Sequence, residues 1–181
     1  AAITSSSPPA AAPGASPRLK EERIYVAGYE LYKHESGLER VSLSLMDGDH
    51  RFVMIDTRIA GNDGTLPQVV RYQLHNHLGS ACLELDGAAA VISYEEYHPY
   101  GTTAFQNQNK DVKAAAKRYR FTGMERDEES GFSYHSARYY LPWLGRWASA
   151  DPIGIGDGVN LYGYCGGRVM KSVDSSGTDE G

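Results

Sequence analysis

Val41-Ser42-Leu43-Ser44-Leu45 alternates apolar and polar side chains without a break and then runs into Asp47-Gly48. Successive side chains of a strand project to opposite faces, so Val41, Leu43 and Leu45 share one face and the serines the other. Asp-Gly favours the backbone of a tight hairpin turn, so a second antiparallel strand is expected directly behind it. The pattern recurs downstream, where Ala81-Cys82-Leu83-Glu84-Leu85 is followed by Asp86-Gly87 and then by Val91-Ile92-Ser93-Tyr94. Asn62-Asp63-Gly64 and Ser130-Gly131 punctuate the chain in the same manner. From Arg23 onward these short runs of period two predict an all-β protein of antiparallel hairpins, with two or more strands between Arg71 and Tyr100.

Composition narrows the function. With 18 basic residues against 23 acidic ones and a net charge of -5, the chain does not advertise the clustered basic surface that phosphate neutralisation needs. No general nucleic-acid binding is expected, although Lys117–Arg120 is a local basic spot. The longest apolar run, Ala88–Ile92, falls far short of the ~20 residues of a membrane-spanning helix. Tyrosine supplies 13 residues and glycine 20, which suits strands with one packed and one wet face, closed by many turns. Cys82 and Cys165 form neither a metal-binding pair nor a disulfide framework, and are compatible with one disulfide or with two buried thiols. The chain starts without Met and without a charged-then-apolar leader, so a segment of a longer or processed reading frame is expected.

Ala1–Pro17 is made of Ser, Pro and Ala with almost nothing to bury, and reads as a disordered linker. Between Gln106 and Arg118 the chain turns polar around Ala114-Ala115-Ala116, long enough for one or two helical turns, with a surface connector as the preferred reading. Arg-Tyr pairs recur at Arg71-Tyr72, Arg118-Tyr119 and Arg138-Tyr139, a self-similarity that suggests stacked hairpins, each burying part of its face.

The run Tyr119-Arg120-Phe121-Thr122-Gly123-Met124-Glu125-Arg126-Asp127, then Ala137-Arg138-Tyr139-Tyr140-Leu141-Pro142-Trp143-Leu144-Gly145-Arg146-Trp147, Ser149-Ala150-Asp151-Pro152 and Asn160-Leu161-Tyr162-Gly163-Tyr164 resembles the Rhs repeat-associated core domain. That domain also closes the shell in the C components of insecticidal Tc toxins. Asn76-His77-Leu78-Gly79-Ser80 through Tyr97-His98-Pro99-Tyr100-Gly101 is similar to the tyrosine-aspartate (YD) repeats that precede it. The resemblance implies a spiralling antiparallel sheet forming part of a hollow β-cocoon, plugged at one end by the core domain. The expected layout is a disordered linker over 1–18, YD-type hairpins over 19–105, a polar connector over 106–118 and the core domain over 119–181. The implied partners are the remainder of the parent shell and an enclosed C-terminal effector, and the implied destination is secretion or the cell surface.

The resemblance further implies an aspartyl autoprotease that cuts its own chain. The matching carboxylates are Asp151 and Asp174, with the cut between Thr178 and Asp179. Two carboxylates forced together share a proton, so the ionised member activates water while the protonated one polarises the scissile carbonyl. Arg146 is the expected residue to orient a carboxylate. Gly167-Arg168 stands where relatives usually carry Asn-Pro, and Ser175 and Thr178 where they usually carry Pro and Leu. A cut there releases only Asp179-Glu180-Gly181, which suggests either a segment ending just beyond the cut or an orphan core. The competing readings are a surface module whose hairpins bind glycan or protein, and a core fragment without activity, in which both aspartates simply shape turns.

No cofactor and no metal are expected. His75 and His77 share a strand face but lack a third ligand nearby. Glu125–Glu129 reads as a solvated charged turn, and Gly154, Gly156 and Gly158 as a flexible turn rather than a nucleotide loop. His98 and His135 read as hydrogen-bonding wall residues. Trp143 and Trp147 read as anchors of the plug, with a sugar platform as the alternative.

Overall fold

The computed structural model describes residues 2–3, 18–155 and 159–178. Gly156, Gly158 and Asp179, and residues 4–17 of the expected linker, lie outside that range. The chain divides into two compact units, one made of Ala1–Gln73, Leu85–Ile92 and Asn109–Ala115, the other of Leu74–Glu84, Ser93–Gln108 and Ala116–Gly181. All-β architecture holds in both, and no α-helix occurs among the described residues.

The first unit is an antiparallel meander of β1 (Ala2–Ile3), β2 (Glu21–Val26), β3 (Tyr29–His34), β4 (Glu39–Asp47), β5 (His50–Ala60) and the greater part of β6 (Gln68–His75), paired in chain order. The β4–β5 hairpin turns at Asp47-Gly48 as its dipeptide predicts, with Asp47 opposite His50. β1 lies within the stretch expected to be disordered and pairs Ala2 with Ile24 and Ile3 with Arg23.

Period two is correct, but the face it buries is the unexpected one. Directly opposed residues share a face, so one row reads Tyr25, Glu30, Ser42, Asp56, Val69 and the row on the other face reads Val26, Tyr29, Leu43, Ile55, Val70. The polar row is the covered one: Ser42 is 6% exposed, while Leu43 and Leu45 are 41% and 42% exposed. Buried charge is tolerated here because every member is paired. Arg23 Nη1 donates to Glu30 Oε1 at 2.8 Å, the Ser42 hydroxyl donates to Asp56 Oδ1 at 2.6 Å, and Arg71 Nε lies 2.9 Å from Asp56 Oδ2. Arg71 also caps the carbonyl of Ala115, which fixes the end of the 109–115 segment. In the Arg71-Tyr72 pair the arginine is therefore the inward residue and the tyrosine the outward one.

The second unit carries most of β7 (Ala81–Leu85) and β8 (Val91–Tyr97), together with β9 (Thr103–Gln108) and a separate four-stranded sheet. β9 runs into the stretch expected to be a connector. The four-stranded sheet pairs β10 (Glu125–Arg126), β11 (Ser133–His135), β12 (Arg138–Leu141) and β13 (Arg146–Trp147) in chain order. Its inner face joins a core of Phe121, Tyr140, Trp147, Tyr164, Cys165 and Val169. The Tyr140 and Tyr164 rings lie 4.2 Å apart, with Trp147 edge-on to both. Gly101 sits at φ +88 with the Phe121 ring packed where a Cβ would stand, so the tyrosine-rich hairpin can end against this core only on glycine.

The local basic spot is consumed inside this unit. Lys117 and Arg120 both pair with the fully buried Glu95, Lys117 Nζ at 2.9 Å from Oε2 and Arg120 Nε at 3.1 Å from both oxygens, while Arg118 pairs with Glu125. Burial pushes the Glu95 carboxyl up, but Arg120 and Lys117 more than offset it and hold the group below its ordinary value. Both cysteines are free thiols, Cys165 buried and Cys82 partly so, and no disulfide joins them.

Replacing Arg71 by Leu strands the Asp56 carboxylate in the covered face and is expected to cost about 3–5 kcal/mol in urea unfolding. Leu43→Ser on the open face is expected to stay within about 0.5 kcal/mol. Equal losses from the two changes would contradict the inverted burial.

Candidate functional site

The site grows from the β11–β12 hairpin. Inward positions alternate, so Ser133 and His135 on β11 and Arg138 and Tyr140 on β12 project into the core, while Tyr134 and Tyr139 project outward. An arginine on a core face needs acid partners, and Arg138 finds two of them. Its Nη2 lies 2.9 Å from Asp151 Oδ2 and 3.4 Å from Asp174 Oδ2. The two carboxylates are thereby within two hydrogen-bond lengths of each other, although the chain between them is long. The guanidinium stacks on the Trp147 ring, 4.2 Å from its centroid, and its Nε donates to the carbonyl of Gly177.

Arg146 is not part of this cluster. It precedes Trp147 on β13, and because Trp147 points inward beneath Arg138, Arg146 points the other way and is exposed. Orientation of the carboxylates, expected of Arg146, is instead the work of Arg138. The sequence held a signal for this: an arginine in phase with His135 and Tyr140 on a core-facing strand has to meet carboxylates.

Asp151 follows β13. Its amide donates to Leu161 O at 2.9 Å and its Oδ1 accepts the amide of Ile153 at 2.8 Å. Asp174 is more deeply enclosed. Its Oδ1 accepts the amides of Gly177 at 2.7 Å and Thr178 at 3.3 Å and the hydroxyl of Ser176 at 3.1 Å, so the carboxylate folds the segment ahead of Thr178 into a turn. The Ala137 amide, in the hairpin turn, donates to Ser176 O at 3.0 Å.

His135 completes the arrangement from below. Its Nδ1 lies 2.6 Å from the Asp174 carbonyl, and since a carbonyl only accepts, Nδ1 carries the proton and Nε2 is the bare nitrogen of the neutral ring. Nε2 is buried among Tyr140, Trp147 and Tyr164, with no hydrogen-bond partner among the described residues. Burial pushes the imidazole down to about 4, against the smaller upward pull of the Asp174 carbonyl and carboxylate.

The remaining candidates fall elsewhere. Trp147 is 2% exposed and Trp143 is 50% exposed, so they share no surface on which a sugar could lie. Trp143 instead packs on Phe132, with ring centroids 5.5 Å apart. His77 Nε2 meets the Met170 carbonyl at 3.1 Å. Among the described residues no group of three or more His, Cys, Asp or Glu side chains is placed to hold a metal ion, and no helix is long and apolar enough to cross a membrane.

No family model matches the chain. Individual proteins do. Toxin subunit YenC2 of Yersinia entomophaga is 43% identical over 115 residues, covering 64% of this chain and 12% of the relative. Toxin subunit YenC1 of the same organism is 48% identical over 93 residues, covering 51% and 9%. The crystal structure of TcdB2-TccC3 superposes on 87% of this chain and 8% of its own with a TM-score of 0.79 at 31% identity. The chain is similar to a region of the C components of Rhs and Tc toxins. It corresponds to a shell region of such toxins and spans about a tenth of the length of the curated relatives it matches.

The buried histidine of this core has a thermodynamic consequence. Its folded value of about 4 lies below the ordinary 6.5, so the unfolded chain binds the extra proton first. Stability is then full above pH 6.5 and declines as pH falls towards 4, by roughly 3 kcal/mol in all. His135→Phe is expected to flatten that window in unfolding measured as a function of pH, and an unchanged slope would refute this role for His135.

Proposed function

We propose that this chain forms the closing section of a toxin-enclosing shell and that its Asp151–Asp174 pair hydrolyses the chain after Thr178, freeing a downstream effector. The observation that carries the reading is the double hold of Arg138, with Nη2 on both carboxylates and Nε on the carbonyl of Gly177, one residue ahead of the bond to be cut. Asp151 is the less encumbered carboxylate, engaged by one amide and one guanidinium, and acts as the base that takes a proton from the attacking water. Asp174, with both oxygens engaged, holds the segment in its turn, and Asp151, once protonated, returns the proton to the departing nitrogen. Arg138 offsets the repulsion between the two acids and keeps them at a separation where one water can serve both.

The shell role rests on the inverted sheet. Val26, Tyr29, Leu43, Leu45 and Tyr72 lie open on one face of the first unit. A contiguous apolar surface of this kind marks an interaction face. In the parent protein that face is covered by the rest of the shell or by the enclosed effector, and the assembly is delivered by secretion to act outside the producing cell or at its surface. The layout is a repeat-type wall over 19–105 and a core domain over 119–181, with 106–118 linking them.

The test is intact-mass analysis of the full parent reading frame. Wild type is expected to split after Thr178, and Asp151→Asn, Asp174→Asn and Arg138→Gln to remain whole or slow by about a hundredfold or more. Arg146→Gln is expected to split like wild type. A wild-type chain that stays intact would sink the proposal, and so would an Asp151→Asn chain that splits normally.

A further inference from the structure

The outer face of the four-stranded sheet takes no part in the aspartate cluster, and its side chains stand in two straight rows. Tyr134 is opposite Tyr139 and Leu141 opposite Arg146, and continuing the β11–β12 ladder by one residue sets Phe132 opposite Leu141. The Asp127 amide donates to Phe132 O at 2.8 Å, which brings Asp127 to the end of that row. One row therefore reads Asp127, Phe132, Leu141, Arg146 across the sheet, with an acid at one edge, a base at the other and two apolar side chains between. The next row on the same face holds Tyr134 and Tyr139, with ring centroids 5.3 Å apart. Both rows alternate with Ser133, Tyr140 and Trp147, which are buried, so they face away from the core. Tyr139 is 38% exposed, and Trp143, packed on Phe132 at the end of its row, is 50% exposed. Arg146 is exposed and makes no ion pair among the described residues. An uncovered aromatic patch with an unspent arginine at its edge has the make-up of an interface, where Tyr, Trp and Arg carry most of the binding energy.

We infer that this face joins two copies of the chain about a two-fold axis that sets Arg146 of each copy against Asp127 of the other. The charge order of the row selects a second copy as the occupant. An axis parallel to the strands, between β11 and β12, turns the second sheet face to face with the first and reverses its row across the face. Arg146 then meets Asp127 of the partner subunit at one edge, and the reciprocal pair forms at the other. Phe132 lies over Leu141 of the partner subunit, and Tyr134 over Tyr139 of the partner subunit. A row with the same charge at both edges could not match itself in this way. Asp127 is already aimed by its turn, where its carboxylate accepts the Glu129 amide at 3.3 Å and the Ser130 hydroxyl, and a carboxylate retains lone pairs for a guanidinium. Glu125, beside Tyr134, is spent on Arg118 and leaves no uncompensated charge in the aromatic row. Exposed pairs at a rim add little affinity but fix orientation, so the aromatic centre supplies the attraction and the two ion pairs the register. A face of four short strands is small, which makes the association weak and dependent on concentration.

Sedimentation velocity of the full parent chain over a concentration series tests this. Wild type is expected to show a monomer–dimer equilibrium, and a chain that stays monomeric at every concentration overturns the interface and leaves the face to another part of the shell. Arg146→Asp and Asp127→Arg are each expected to weaken association by about tenfold or more, since like charges then meet at both edges. Unchanged association of Arg146→Asp, at an exposed position, overturns the interface by itself and shows that any dimer uses another surface. Mixing the two variants is expected to restore association, because each edge regains one acid and one base, and the chain carrying both changes is expected to self-associate like wild type. Loss of association in the single variants without recovery in the mixture overturns the two-fold register. Asp127→Asn, which keeps an acceptor for the Glu129 amide, guards against a distorted turn and is expected to weaken association less than Asp127→Arg; wild-type association of Asp127→Asn rejects the ion pair. Near-ultraviolet circular dichroism of the Tyr140, Trp147 and Tyr164 cluster checks that each variant is folded.

Discussion

Arg138 is the contact on which the C-terminal part of this chain depends. Past Trp147 the described residues form no further strand, so their position relies on scattered backbone hydrogen bonds, such as Ala148 to Tyr139 and Asp151 to Leu161, together with side-chain holds. One guanidinium supplies several of them, reaching Asp151, Asp174 and the Gly177 carbonyl while lying flat on Trp147. Only arginine has donors spread widely enough in one plane to do this and a face that stacks on indole at the same time. Lysine would reach one partner and lose the rest.

The same logic runs through the first unit. Its covered face is polar, and it survives because each charge has a partner at hydrogen-bonding distance: Arg23 with Glu30, Arg71 with Asp56, and Ser42 supporting Asp56. Pairing of this sort contributes little net stability compared with a hydrophobic core, but removing one partner is costly. It specifies the register, because a slip of one residue would bring Leu43 opposite Asp56. Leu43, Leu45 and Tyr72, by contrast, stand on the open face.

The strand pattern and its turns were legible in the residues. Val41–Leu45 with Asp47-Gly48 produced the β4–β5 hairpin, and Asp86-Gly87 falls in the turn after Leu85. Which face would be covered was not legible, because period two divides a strand into two faces without ranking them. In a two-faced sheet the usual rule that apolar means inside does not decide the face: Arg71-Tyr72 and Arg138-Tyr139 both turn the arginine inward, although Val53, Met54 and Val69 are buried. Asp151 and Asp174 were found by resemblance alone, since no local spacing joins them. Arg146 stands closer to Asp151 in the chain than Arg138 does, but proximity in the fold is set by strand parity, which turns Arg138 inward and Arg146 outward. The partner of the basic run Lys117–Arg120 was not legible for a related reason: Glu95 is remote in sequence and directly at hand in the structure.

The central claim is that Arg138 and the two aspartates act as one unit. A double-mutant cycle of Arg138→Met and Asp174→Asn, followed by urea unfolding, measures this directly without requiring any cleavage. The account predicts a coupling energy above about 1 kcal/mol, with the double variant less destabilised than the sum of the single ones. Additivity within about 0.3 kcal/mol would contradict it and show that the guanidinium and the carboxylates merely lie side by side.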